Sequence, residues 1–378
     1  MSWPRSILLM VFGLTSACSS TEGVPATSNG GAGGAQAGAA GGSSTFGGSA
    51  AGAGTAGTAG VTAGGSAGLS GAGGASSSAG QASGGQAGAA GQAGAVGQAG
   101  TAGQAGAAAV ELRITTSNIR YGTADDGINA WPLRKALLFQ VLKDQAFDSA
   151  GLQEALSAQL TDIDAALPAY GRVGVGRNDG KTAGEYSAIL YLKARYQVAE
   201  SGTFWLSDTP EVPGSMTWGN TLPRICTWAR LKNLASGRYY YHYNLHLDNV
   251  SQPSRDKSAQ LVAARIAARS VLTDPVILTG DFNAVPTDLS VTYLLGAQAI
   301  DNVKSPVTLL DAWLSLHGGD AASGTFHSFA GGTSGAHIDY VMFGAGVTAK
   351  SAEIIHTHAE AVYPSDHYPV SAVLQLAP

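Results

Sequence analysis

The sequence predicts an α/β domain over residues 110–378, with two mixed sheets packed face to face and helices outside, preceded by a segment without a fold of its own. Three observations carry this. Apolar strands outnumber amphipathic helices, and they occur both as hairpin-like neighbours and as strand-helix-strand units. Glycine is unevenly divided: of 53 in 378 residues, 31 fall before Val110 and 22 after it. Charge is divided more sharply still, since residues 1–109 hold only Arg5 and Glu22, which leaves 20 basic and 25 acidic side chains for the rest.

At the amino terminus, Arg5 precedes an apolar run at 7–14, and Thr15, Ser16 and Ala17 stand directly before Cys18. Residues 1–17 have the layout of a secretory signal, too short to span a bilayer as a helix. A Cys at the cleavage point resembles a bacterial lipobox. Cys18 is therefore expected to be the acylated first residue of an exported lipoprotein, held at the outer membrane or cell surface. Leu14 lies one place farther from Cys18 than a lipobox favours, so plain secretion is the alternative.

Residues 18–109 read as a disordered linker. From 23 onward they are nearly all Gly, Ala, Ser, Thr and Gln, with Gly-Gln-Ala-Gly at 91–94, 97–100 and 103–106. Such a chain buries too little apolar surface to offset its conformational entropy. Irregular glycine spacing and scarce proline exclude a collagen repeat. As a flexible coil it spans on the order of 50 Å, a tether for the domain.

Within 110–378, residues 110–117 alternate, Val110, Leu112 and Ile114 on one side and Glu111, Arg113 and Thr115 on the other, which predicts a half-buried strand ending at Asn118. Pro132 opens a helix in which Leu133, Leu137, Leu138 and Val141 recur at helical spacing. A short run, 149–152, leads into Gln153-Glu154. Further strands are expected at 187–192, 226–231, 239–247, 276–279, 338–343 and 370–374. A second helix, 256–272, places Ala259, Val262, Ala263 and Ile266 on one face. In the 239–247 strand the stripe Tyr239, Tyr241, Tyr243 and Leu245 is expected to be core, with His242 half-exposed on the other side. Cys226 reads as a small buried hydrophobe, and two cysteines exclude a disulfide-built scaffold.

The polar residues share one setting, an apolar strand that stops at a carboxylate, amide or imidazole: Asn118, Glu154, His246, Asp281 with Asn283, Asp339, and Asp366 with His367. Singly, each also fits a turn cap or a solvated loop. Together they point to strand ends gathered at one rim, where rigid strands hold ligands in place. Carboxylate and amide donors without cysteine suit Mg²⁺, Mn²⁺ or Ca²⁺, with Glu154 and Asp366 as proposed ligands. A histidine beside such a site is suited to proton transfer.

Read in order, Ser117-Asn118-Ile119-Arg120, Leu152-Gln153-Glu154, Asn244-Leu245-His246-Leu247, Gly280-Asp281-Phe282-Asn283, His337-Ile338-Asp339-Tyr340 and Ser365-Asp366-His367 resemble the motif series of the endonuclease/exonuclease/phosphatase superfamily. The stretch 184–191, with 202–205 and 223–228, is similar to an exported bacterial branch of it. The resemblance implies a four-layer α/β sandwich with the site at one end of the sheets. It implies Glu154 as the metal ligand, with Asn118 and Asp366 completing the shell or holding its waters, and His367 oriented by Asp339. Asp281 and Asn283 would position the water and the phosphate, and His246 would assist at a phosphoryl oxygen or the leaving group. Arg120 and Arg224 are candidate phosphate contacts, or plain salt bridges.

The implied reaction is metal-dependent hydrolysis of a phosphate ester. A small or lipid-linked phosphodiester is ranked first, an extracellular nuclease second, and a phosphatase or hydrolase acting on saccharides third. The whole net charge of −5 falls on 110–378 and no run of Lys or Arg occurs, which argues against high-affinity nucleic-acid binding. A monomer is expected. A non-catalytic tethered binding domain is the reading of another class. Loss of Glu154, Asp339 or His367 would favour it, and all three are present.

Overall fold

The computed structural model describes residues 109–318 and 323–378. The expected signal 1–17, Cys18 and all but the last residue of the linker lie outside the described residues. No helix among the described residues is long and apolar enough to cross a membrane.

The chain runs β1 (Val110–Asn118), α1 (Trp131–Gln145), β2 (Ser149–Ala155), α2 (Ser157–Ala166), β3 (Tyr170–Val173), β4 (Tyr186–Leu192), β5 (Tyr196–Trp205) and β6 (Ile225–Asn233). It continues with β7 (Tyr239–His246), α3 (Gln252–Ala267), β8 (Val276–Asp281), α4 (Leu289–Leu294), β9 (Leu310–Asp311), α5 (Ala312–His317), β10 (Asp339–Phe343), β11 (Val347–Ile354) and β12 (Val370–Leu376). Two six-stranded sheets result, ordered β11-β12-β1-β2-β4-β3 and β5-β6-β7-β8-β10-β9. Each holds one parallel pair, β1 with β2 and β7 with β8, bridged by α1 and α3 respectively. The remaining pairings are antiparallel.

Strand alternation builds the layers. Val110, Leu112 and Ile114 of β1 meet Ile277 of β8 and Val341 of β10 between the sheets. The other face of β2 and β4 packs on Leu138 and Leu142 of α1 and Leu160 and Ile163 of α2. Tyr241 and Tyr243 of β7 pack on Val262 and Ile266 of α3. The order helix, sheet, sheet, helix is the expected four-layer α/β sandwich. Leu112, Ile114, Leu231 and Ile277 are wholly buried, and each such side chain contributes about 1.5–3 kcal/mol relative to exposure.

Toward the functional rim the inter-sheet layer turns polar. Gln153 Nε2 donates to Asn244 Oδ1 at 2.7 Å and Thr116 Oγ1 at 3.0 Å, while Asn244 Nδ2 donates to the carbonyls of Leu152 and Ala188 at 3.0 and 2.9 Å. Thr279 Oγ1 lies 3.0 Å from Asn244 Oδ1 and 2.8 Å from His242 Nε2, and His242 Nδ1 is 2.9 Å from Ser149 Oγ. These side chains are buried and each is partnered, as burial of polar groups demands, although Gln153 Oε1 is left without a partner. The lattice ties the two sheets together immediately behind the strand ends.

Three local expectations are corrected. His242 is wholly buried rather than half-exposed, because its face of β7 meets the other sheet and not solvent. The second helix occupies Gln252–Ala267, not 256–272, because Ser251 caps it by accepting from Ser254 N and Pro253 sits in its first turn. In α1 the buried stripe is Trp131, Arg134, Leu138, Val141 and Leu142, whereas Leu133 faces outward. Cys226 is buried, as expected, and burial pushes its thiol pKa well up. Strands β3, β5, β9 and β11 and helices α2, α4 and α5 are additional to the expected elements.

Candidate active site

Inward-facing positions at the rim bring the expected residues together. Asn118, His246 and Asp281 end β1, β7 and β8, and Asp339 begins β10, which runs antiparallel to β8 with Asp339 opposite Asp281. Asp366 and His367 lie in the segment before β12. In β2, Ser149, Gly151 and Gln153 face the other sheet, so simple alternation would turn Glu154 away. A register shift between Leu152 and Ala155 and a left-handed φ of 59° at Glu154 bring its carboxylate to the rim instead. Arg120 at φ 53° and Asn283 at φ 46° are also left-handed. Such strain, about 1–3 kcal/mol per residue, persists where surrounding bonds over-determine the backbone. At Arg120 the backbone N–H donates to Asn118 Oδ1 at 2.9 Å, and the buried Arg134 guanidinium donates to the carbonyls of Ile119, Arg120 and Pro364, each at 2.8 Å.

Asn118 Nδ2 bridges two carboxylates, Glu154 Oε1 at 3.0 Å and Asp281 Oδ2 at 2.9 Å, and Tyr121 N donates to Glu154 Oε2 at 3.0 Å. His367 Nδ1 contacts Asp339 Oδ2 at 2.8 Å, with its Nε2 3.8 Å from Asp281 Oδ2. Burial alone would lower the His367 pKa, but Asp339 and Asp281 outweigh it and raise it to about 10. Burial and the Asp339 charge raise Asp281 to about 7, against the pull of His367 and of the Asn283 and Asn118 donors. Burial also raises Asp366. His246 Nε2 lies 3.5 Å from Asp281 Oδ2 and accepts from Asn283 Nδ2 at 3.0 Å, which places its proton on Nδ1, 3.8 Å from Glu185. Burial, then Arg224 and Arg177, hold the His246 pKa well below the usual imidazole value.

Glu154, His246 and Asp281 offer ligand atoms within 4.8 Å of one another, as do Asp281, Asp339 and His367. Asp366 belongs to neither group, although it lines the same cavity, where Arg120 Nη1 is 3.7 Å from its Oδ2. The oxygen donors of Glu154, Asp281, Asn118 and Asp366 fit a hard divalent cation, whereas the His246 Nδ1–H is buried without a hydrogen-bond partner, 3.8 Å from Glu185, and is no ligand in this tautomer. Arg120 pairs with Asp126 at 3.0 Å, and Arg224 with Asp248 at 3.3 Å and Asn249 at 2.9 Å. Each of these arginines is thus salt-bridged and also lines the cavity.

That cavity measures about 460 Å³. Its wall includes four residues that sequence reasoning left without a role: Arg177 and Glu185, paired at 2.7 and 2.8 Å, and the two phenylalanines Phe326 and Phe329. Glu185 sat in the quoted 184–191 stretch, an acid at the start of an apolar strand, which was the available signal. Nothing in the spacing of the phenylalanines marks them. Trp205 and Trp218 are buried and bonded through their indole N–H groups to Arg177 O and Asp208 Oδ1, so they pack and do not line this cavity.

Residues 115–367 match the model of the Endonuclease/Exonuclease/phosphatase family. No curated protein matches the sequence. Among solved structures, an endonuclease/exonuclease/phosphatase from Bacteroides vulgatus is 36% identical, covers 71% of this chain and 99% of its own, and superposes with a TM-score of 0.63. A mannosyl-6-phosphatase from Bacteroides thetaiotaomicron is 33% identical over 70% of this chain and 99% of its own, with a TM-score of 0.60. With the four layers, the rim of strand ends and the family match over most of the chain in agreement, the protein belongs to the endonuclease/exonuclease/phosphatase family.

Proposed function

We propose that this chain is a divalent-metal-dependent phosphoesterase whose best-supported substrate is a small phosphorylated saccharide. The observation that carries the reaction class is the convergence of the His367–Asp339 pair with the Glu154, Asp281 and Asn118 donors on one bounded cavity. A bound Mg²⁺ or Mn²⁺, held by Glu154 with Asn118 and Asp366, would supply Lewis-acid stabilisation of phosphoryl charge.

The chain's own residues do the rest. Asp339 fixes the ring of His367 through Nδ1 and leaves its Nε2–H to donate to a phosphoryl oxygen as charge grows there. Asp281, beside both imidazoles, holds the attacking water and takes its proton. Asn283 clamps His246 and the carbonyl of Leu247, at 3.1 Å, and so sets the imidazole against the leaving group. Arg120, Arg177 and Arg224 put positive charge on the wall for the phosphate.

For the substrate, the likeness to a mannosyl-6-phosphatase over nearly its whole length favours a saccharide phosphate over the small phosphodiester ranked first from sequence. A cavity of about 460 Å³ suits one sugar phosphate better than a duplex. The same reading has the domain exported and anchored through Cys18. The test is phosphate release from mannose 6-phosphate and p-nitrophenol release from bis(p-nitrophenyl) phosphate by chelated and Mg²⁺-restored protein. Metal-dependent release from the monoester, lost in His367→Ala, supports the proposal. Turnover of the diester alone reverses the substrate order, and metal-independent turnover refutes the mechanism.

A further inference from the structure

Beyond the phosphate site, the cavity wall carries a feature that the hydrolytic chemistry does not use. Residues 324–331, Gly-Thr-Phe-His-Ser-Phe-Ala-Gly, form a turn in which Ser328 and Phe329 adopt φ of 49° and 60° in succession. A left-handed bulky residue is a genuine outlier, and here two adjacent side chains other than glycine share that region. The turn is fastened to the catalytic segment: His327 N and Ser328 N both donate to Asp366 O, at 2.9 and 3.1 Å, and Tyr368 N donates to Thr325 O at 2.7 Å. Inside the turn, Ala330 N donates to His327 O at 2.8 Å. His327 is buried with its ring 3.9 Å from that of Tyr368. Phe326 and Phe329 are left half-buried on the cavity, with the Phe326 ring 4.9 Å from His367.

The geometry points to Phe329, with Phe326 beside it, as a stacking platform for the pyranose ring of the substrate's leaving group. This rests on the saccharide-phosphate reading of the same cavity and adds the residue that recognises the sugar. Apart from Leu222, the rest of the wall carries hydrogen-bonding groups, among them Arg177 with Glu185 and Arg224 with Asn249. An aromatic face set into such a wall complements a ligand with one C–H face and a rim of hydroxyls. A phosphate alone has no use for it. The strained turn keeps the platform rigid, because it is pinned to the backbone of Asp366, next to His367.

Phe329→Gly separates this role from folding, since glycine takes the left-handed φ without strain. In the full chain carrying His367→Ala, with Mg²⁺ present, calorimetry would compare binding of D-mannose 6-phosphate, glycerol 3-phosphate and adenosine monophosphate. Phe329→Gly should weaken mannose 6-phosphate about tenfold, a loss of the size expected for one ring contact, and leave glycerol 3-phosphate unchanged; Phe329→Tyr should restore the first. Equal losses for both, no loss, or no binding of mannose 6-phosphate by the parent chain would overturn the platform. Dependence confined to adenosine monophosphate would also overturn it, in favour of a nucleobase. A wild-type chain that binds the sugar phosphate through Phe329 yet releases no phosphate would sink the phosphoesterase reading and leave the platform standing.

Discussion

Gly151 lies close against the facing sheet, and replacing it with alanine tests how far the site depends on the lattice behind it. A Cβ built there would lie 2.2 Å from Thr279 Oγ1, 2.3 Å from Asn244 Oδ1 and 2.5 Å from Asn244 Cγ. To reach the 3.4 Å of ordinary contact, Thr279 Oγ1 must retreat by 1.2 Å, the difference between 3.4 and 2.2. Both neighbours are wholly buried, so the sheets must part or the carboxamide must turn. Overpacking of this kind costs about 1–3 kcal/mol. If Asn244 turns, the carbonyls of Leu152 and Ala188 lose their donor, at about 1–3 kcal/mol for each buried group left unpaired. We expect Gly151→Ala to destabilise the domain by at least about 3 kcal/mol, a large part of a typical 5–15 kcal/mol stability. Urea unfolding followed by near-ultraviolet circular dichroism measures this. Gly344→Ala is the control, because its Cβ would meet only atoms at 3.6 Å or beyond. If the two variants unfold at the same midpoint, the lattice is not the constraint argued here.

Two further perturbations follow from buried charges. Burial raises Asp311, the N-cap of α5, to about 7 despite donation from the Leu314, Trp313 and Ala312 backbones; between its unfolded value near 4 and this one the folded chain holds a proton that the unfolded chain has released. Stability from this group is therefore full below pH 4 and lost as pH rises to 7, on the order of 2–4 kcal/mol. Asp311→Asn should flatten that slope, and parallel urea midpoints for wild type and variant from pH 4 to 8 would contradict it. Arg134→Leu removes the donor of three carbonyls at the site loops, so a loss of about 3 kcal/mol or more is expected; a thermal midpoint within a degree or two of wild type would show that the clamp is dispensable.

The layers of this fold were legible in the sequence because strand alternation and helix period report burial directly. The strand ends were legible because chemistry-bearing residues interrupt apolar runs at Asn118, His246, Asp281 and Asp339. What escaped depends on tertiary contact. His242 looked half-exposed since alternation says which face a residue is on, not whether another sheet covers it. The start of α3 was hidden by its polar first turns, where Ser251 and Pro253 carried the boundary. The turn of Glu154 into the rim needs a bulge that no local pattern announces. Phe326 and Phe329 gain a role only because the turn that bears them is pinned to Asp366.

The placement of β12 also ties the completed site to the closing of a sheet. β12 lies inside its sheet, between β11 and β1, with Leu376 opposite Val110, so partners from opposite ends of the domain must meet. Pairing over such a distance is slow, and until it occurs β1 keeps an open edge prone to association with other chains. Asp366 and His367 arrive in place with that strand. A chain in which β12 had not paired would lack Asp366 and the His367 imidazole at the rim. Closing the sheet and completing the site are thus one structural step.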